Sequence, residues 1–360
     1  MKEIQHAVIL RKSRRTYPKM KNIFPALIGN NSIKKLCGED ILRGKFAHAY
    51  IIDGPHGSGK HTAARMIAMS ILCQNRSSNA HSLPCSVCPS CKKIKAGYST
   101  CIQYINRGDN ATLQVDAVRN GLATLGYRPE DGDYKFYIIE DAEKMTVPAQ
   151  NALLLSLEEP PPYAVFILLT SDSGALLETI RSRAHVLKTE LLSASNIYKE
   201  LCDMKEMGTV ANLPDEKLQS AAAAAMGSLG FAIELLDQKS SSTHIMLRDK
   251  AEKLVKTLLS ASSAETVMVC REFDLKRTEY EKLFYFALCV IRDYISLKTG
   301  SNDTLFFTDG DEAFEYARKV SLAELYKLYN MLESAQDDIC KKNASANTVL
   351  TTLAANARCK

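Results

Sequence analysis

With 360 residues, 46% of them hydrophobic, the chain is too long for one ordinary core and too apolar to be disordered throughout, so two or three domains are expected. The formal charge of +5 is lodged at the start, where residues 1–22 hold seven Lys or Arg against the single acid Glu3, leaving the remainder at about −1. No apolar run approaches the roughly 18 residues of a membrane span, and the start lacks the apolar segment of an export signal, which excludes a membrane partner and points to the cytoplasm.

The basic leader, residues 1–22, reads as a solvated, disordered tail and is assigned no function. The first strong pattern is Ala47 to Asp53 (AHAYIID), a short apolar run that enters the glycine-rich GPHGSGK and then the helical spacing of HTAARMIAMSILC. Strand, loop and helix in that order make a phosphate loop. Gly54, Gly57 and Gly59 let backbone N–H groups close around phosphates, and Lys60 supplies charge at the beta and gamma positions. The residue after the lysine should offer a hydroxyl to magnesium, but it is His61. Thr62 comes one place later, turned away by about 100° on a helix, and is the remaining hydroxyl candidate.

Directly after that helix lies a cysteine cluster. The chain has eleven cysteines, an odd number, and a protein without an export signal keeps them reduced. Cys85, Cys88 and Cys91 recur every third residue in PCSVCPSC, and Cys73 ends the preceding helix; four thiolates converging this way suit tetrahedral, structural zinc. An iron–sulfur reading is weaker because the C-x-x-C-x-x-C run lacks the ferredoxin continuation. Cys101 and His81 compete on spacing for the fourth position, which is assigned to Cys73. Cys37, Cys202, Cys270, Cys289, Cys340 and Cys359 are scattered, mostly within apolar helical stretches, and read as small core residues.

Two more strand-like runs follow, Tyr134 to Glu140 and Ala164 to Thr170, separated by MTVPAQNALLLSLEEPPP, a helical segment halted by three prolines. Alternating strands and helices imply a parallel sheet flanked by helices. At the end of the first of these runs stands Glu140-Asp141-Ala142-Glu143, where an active ATPase would carry Asp before Glu for metal and water. With His61, this inversion implies weak or absent hydrolysis, while Lys60 and the glycines leave nucleotide binding open. Beyond about residue 190 only helical spacing remains, with breaks expected at Asp237 to His244 and Thr299 to Asp311.

From about Phe24 onward these residues resemble the clamp-loader branch of the AAA+ proteins within bacterial DNA polymerase III. The segments carrying the resemblance are FPALIGNNSIKKLCGEDILRGKFAHAYIIDGP, the four cysteines, AQNALLLSLEEPPP, TIRSRAHVLK and KNASANTVLTTL. It implies an AAA+ P-loop domain over 23–190 with a zinc module at 73–91, a helical lid over 191–240 and an all-helical collar over 245–360.

Within that family the motor subunit gamma/tau and the stationary subunit delta prime share nearly all of these motifs. His61, the inverted Glu140-Asp141 pair, and Phe231 in Gly227-Ser-Leu-Gly230-Phe231-Ala232, where the motor places a nucleotide-sensing arginine, favour the delta prime type. The expected partners are then gamma/tau and delta, with the sliding clamp and primed DNA reached through the complex. Ser182-Arg183 matches the family's Ser-Arg-Cys motif, which implies that Arg183 acts in trans on a neighbour's ATP site. Ala184 and Leu155 depart from the family's Cys and Lys. The rival readings are an ATP-hydrolysing gamma/tau-like motor and a DNA-binding protein that reuses the fold, supported mainly by the basic leader.

Overall fold

The computed structural model describes residues 22–76, 82–108, 110–260, 263–273, 275–300, 317–340 and 344–356. Nearly all of the basic leader, and His81, lie outside the described residues. Contacts divide the chain between Glu190 and Leu191 into two units.

The first unit begins with a two-residue strand, β1 (Asn22–Ile23), and helix α1 (Asn31–Arg43), then β2 (Ala49–Asp53) and α2 (Lys60–Ile71). The cysteine segment supplies β3 (Ser82–Leu83) and the short helix α3 (Pro89–Lys95). After it come β4 (Ile102–Ile105), α4 (Val115–Leu122), β5 (Lys135–Ile139), α5 (Val147–Glu158), β6 (Ala164–Thr170), α6 (Glu178–Arg181) and β7 (His185–Lys188). Five strands pair in parallel in the order β4-β5-β6-β2-β7, and β1 pairs with β3 alone. This is the parallel P-loop sheet that the AAA+ resemblance implies.

Alternation along the strands builds a core on each face of the sheet. Tyr50, Ile52, Phe136, Ile138, Val165, Ile167 and Leu169 join α1, α2 and the cysteine segment in one cluster. Ala49, Ile51, Tyr137, Ile139, Phe166 and Leu168 join α4, α5 and α6 in the other. The three central strands are therefore buried on both sides, which explains their uninterrupted apolar runs. At the unit's end Glu190 caps the start of α1: its carboxylate accepts from Asn31 N at 2.9 Å, Ser32 N at 3.0 Å and Ser32 Oγ at 2.6 Å. These donors, the Ser32 hydroxyl foremost, hold the carboxyl below its usual range.

All described residues of the second unit that have regular structure are helical. A cluster around Ile197, Leu201, Leu218, Ala222 and Ala232 unites α7 (Ala194–Glu206), α8 (Asp215–Ala224) and α9 (Leu229–Leu236). A larger cluster gathers α10 (Gln238–Ser260), α11 (Ser263–Arg271), α12 (Arg277–Thr299) and the helices Leu322–Cys340 and Ala346–Asn356.

The stretch 237–244, expected from its serines to be a break, instead runs into α10 from Gln238. Leu247, Ala251, Leu254, Val255 and Leu258 are buried at helical spacing further along, and packing of that face overrides the weak local propensity of the serines. No helix among the described residues is long and apolar enough to cross a membrane.

The two sets of helices are tied at the end of α8, whose last carbonyls have no partner within the helix. Arg292 Nη1 donates to Ala223 O at 2.7 Å and Tyr285 Oη donates to Ala224 O at 2.8 Å. Asp293, buried to 1% exposure, holds the Arg292 guanidinium at 2.8 Å.

Candidate functional site

The phosphate loop leaves the C-terminal end of β2 and opens α2. Gly57 and Gly59 adopt φ values of 71° and 95°, the left-handed region in which a side chain is strained. Gly54 is constrained by packing instead: a Cβ there would lie 1.7 Å from Thr189 Oγ1, which donates to Ser58 Oγ at 2.9 Å. The turn is thus set by its glycines and pinned by Thr189, just beyond β7. Lys60 folds back on its own loop, its ammonium donating to Gly54 O and, at 2.9 Å, to Pro55 O.

The residue that follows Lys60 meets the acidic motif at the end of β5. His61 Nε2 lies 3.2 Å from Glu140 Oε1, so an imidazole contacts the first acid beyond β5. Asp141 adopts φ 48° and its carboxylate takes Arg107 Nε at 3.0 Å. Glu143 accepts from Ser171 Oγ at 2.8 Å and Ser171 N at 3.2 Å. Each carboxylate of the acidic motif therefore has a protein partner, and the residue facing Glu140 is a base rather than a hydroxyl. Thr62, half-buried one residue further on, has no place in this contact. Arg107 carries no sequence signal, because only the αL turn at Asp141 brings that carboxylate towards the end of β4.

The second group is formed by cysteines. Sγ atoms of Cys73, Cys85, Cys88 and Cys91 all lie within 4.8 Å of one another, with Cys85 and Cys91 at 4.0 Å. A tetrahedral ion with metal–sulfur bonds of about 2.3 Å places its sulfurs about 3.8 Å apart, so a single ion fits. A multinuclear cluster would hold its thiolates further apart, with metal and sulfide between them. Asn75 Nδ2 and Cys88 N point at Cys85 Sγ at 3.5 and 3.4 Å, N–H groups of the kind that steady a metal-bound thiolate.

The Cys91 thiol hydrogen-bonds Cys73 and holds it well below the ordinary thiol range; the same bond, with burial, pushes Cys91 up. Cys101 is buried outside this group and His81 lies outside the described residues.

The third feature is Arg183, just beyond α6. Its Nη1 donates to Thr179 O at 2.9 Å and its Nη2 meets Glu158 Oε1 at 2.9 Å, with 36% of its side chain exposed. Leu155 is 71% exposed on α5, and Ala184 packs against the α4–α5 side of the sheet.

A model of the family described as DNA polymerase III, delta subunit, matches residues 29–192, the stretch that holds all three features. The DNA polymerase III subunit gamma of Buchnera aphidicola (subsp. Schizaphis graminum) is 33% identical over 233 residues, covering 64% of this chain and 62% of that protein. The subunit tau of Bacillus subtilis is 27% identical over 335 residues, covering 88% of this chain and 58% of that protein. This chain carries a DNA polymerase III delta-subunit-like domain and is a homologue of the gamma/tau clamp-loader subunits.

It spans less than two thirds of the length of these relatives, 62% and 58%. Among solved structures, a gamma subunit-related protein of Thermotoga maritima covers 91% of this homologue at 20% identity, with a TM-score of 0.42.

Phe231 lies beyond the matched stretch. It is 7% exposed and packs edge-on to the Tyr285 ring at 4.6 Å, inside the helical core. Its side chain therefore belongs to the core rather than to an exposed face.

The preceding turn depends on Gly227 at φ 91°, where a Cβ would stand 2.6 Å from Leu191 Cβ and 3.1 Å from Leu192 O. Gly227→Ala is expected to destabilise the protein by about 2 kcal/mol through backbone strain and the clash. A melting temperature equal to that of the unsubstituted protein would refute this.

Proposed function

We propose that this chain is a stationary, delta prime-like subunit of the DNA polymerase III clamp loader. It assembles with gamma/tau-type and delta subunits, which together place the sliding clamp on primed DNA. The observation that carries this reading is the His61–Glu140 contact: a base occupies the magnesium hydroxyl's place and engages the carboxylate that would serve the metal. The loop keeps its glycine turns and Lys60 as a phosphate-shaped scaffold, with ATP turnover belonging to the neighbours. Zinc is the metal best suited to the four cysteines, where it would be structural, all of its positions being filled by thiolates. Arg183 is the group this chain contributes to catalysis, reaching a neighbour's ATP and stabilising charge on the transferred phosphoryl group.

The test compares ATP hydrolysis by the chain alone with that of the complex reconstituted with its gamma/tau-type and delta partners. The chain alone should turn over no more ATP than its Lys60→Ala form. In the complex, Arg183→Ala should leave assembly intact on gel filtration. It should also remove about 10³-fold at the site served, the lower range for a trans arginine, so that turnover falls to what the other sites sustain.

A second reading, a gamma/tau-like motor, is favoured by the names of the curated relatives, which are gamma and tau subunits. Hydrolysis by the isolated chain that disappears with Lys60→Ala would establish it.

A further inference from the structure

We propose that Glu158 is a positioning residue for Arg183, holding the guanidinium ready on its own subunit until a neighbour's phosphates take it over. This inference rests on the trans-arginine reading above and names the residue that controls it. Two rigid elements supply the pair. Glu158 is the last residue of α5, a helix anchored by the fully buried Leu153 and Leu157, and Arg183 follows α6, anchored by the fully buried Ile180.

The start of the same α5–α6 connection is stapled by Gln150, whose Oε1 accepts from Leu177 N at 2.8 Å and whose Nε2 donates to Ala175 O at 3.4 Å. The Arg183–Glu158 contact at 2.9 Å closes the other end, and Thr179 O takes Nη1 at 2.9 Å. Two of the guanidinium's donor directions are therefore committed within the subunit, which restricts its rotamers before any partner binds.

Such a hold must be firm enough to orient and weak enough to yield. With 36% and 44% of the two side chains exposed, water screens the pair, and exposed ion pairs are weak. A triphosphate in a neighbour's site carries more negative charge than one carboxylate and offers several acceptor oxygens to the planar fork of an arginine. Exchange of Glu158 for phosphate is then downhill, while an unheld arginine would lose rotamer freedom on engaging.

The test uses the full chain and the reconstituted complex. In the isolated chain, hindered rotation of the Arg183 guanidinium is expected as resolved side-chain ¹⁵N–¹H resonances, averaged in Glu158→Gln and restored in part by Glu158→Asp. In the complex, Glu158→Gln should lower DNA-stimulated ATP turnover by roughly fivefold, on the scale of one exposed pair, with the KM for ATP unchanged and the melting temperature of the chain intact. Turnover unaffected by Glu158→Gln but lowered by Arg183→Ala would overturn the positioning role alone. Turnover unaffected by Arg183→Ala would overturn the trans arginine and this inference with it. A freely rotating guanidinium in the unsubstituted chain would overturn the inference without touching the arginine's role.

Discussion

Removing the zinc proposed for the four-cysteine group is expected to unfold the segment around residues 73–95 while leaving the central sheet in place. Cys91 is fully buried, and Cys73 and Cys88 nearly so, inside the cluster that also holds Ile71, Leu83, Ile94 and Phe24. Without an ion, four thiols within 4.8 Å must share protons or repel as thiolates, and the loop between α2 and α3 has little apolar surface of its own to hold it.

Binding of structural zinc by comparable sites is worth about 10 kcal/mol or more near neutral pH, and that free energy is folding free energy. Cys91→Ser, or prolonged chelation, should therefore take the metal content from one zinc per chain to none. It should also open the amides of β1 and β3 to fast hydrogen exchange, while β2, β5 and β6 stay protected. A zinc-free protein with unchanged exchange in β1 and β3 would contradict the proposed staple.

Asp293→Ala is expected to cost about 3–5 kcal/mol, the other large effect, because it strands a guanidinium that is already committed. Arg292 Nη1 lies on Ala223 O at 2.7 Å, and Asp293 holds Nη2 at 2.8 Å and Nε at 3.3 Å. Only 31% of the Arg292 side chain is exposed, so water replaces the lost carboxylate incompletely.

The arginine also caps the negative end of α8 beside Tyr285, whose hydroxyl donates to Ala224 O at 2.8 Å. A loosened guanidinium therefore weakens the joint between the short helices and the long ones. Denaturant titration should show a lower midpoint, and the paired change Arg292→Met with Asp293→Leu should recover much of the loss by removing both charges. An unchanged midpoint for Asp293→Ala would exclude the role given to this pair.

The strands and sites differ in how far they can be read from the chain alone, and burial explains which is which. β2, β5 and β6 are buried on both faces and so stand out as apolar runs. β4 and β7 lie at the two edges of the sheet, where only Ile105 and Leu187 are buried within them, and their mixed sequences give no period to detect. The cysteine group is legible because three of its members share one short loop.

The partner of His61 is not legible, because the contact with Glu140 exists only once two parallel strands set the ends of β2 and β5 on the same edge of the sheet. Phe231 shows the opposite limit. Its place in the motif suggests a site, whereas its ring fills the helical core against Tyr285, and this follows from which way α9 faces rather than from residue type.

The pairing of β1 with β3 has a consequence for the order of events during synthesis. Asn22 and Ile23 leave the ribosome long before Ser82 and Leu83, their partners in register, and Phe24 N reaches Leu83 O at 2.7 Å only once β3 is in place. The entry segment must therefore wait, with its apolar side chains uncovered, until Leu83 has been made and β3 has formed. With the zinc proposed for the four cysteines in place, metal supply during translation would set how long the entry segment remains open to chaperones and proteases, a timing role separate from any part the ion plays in the finished protein.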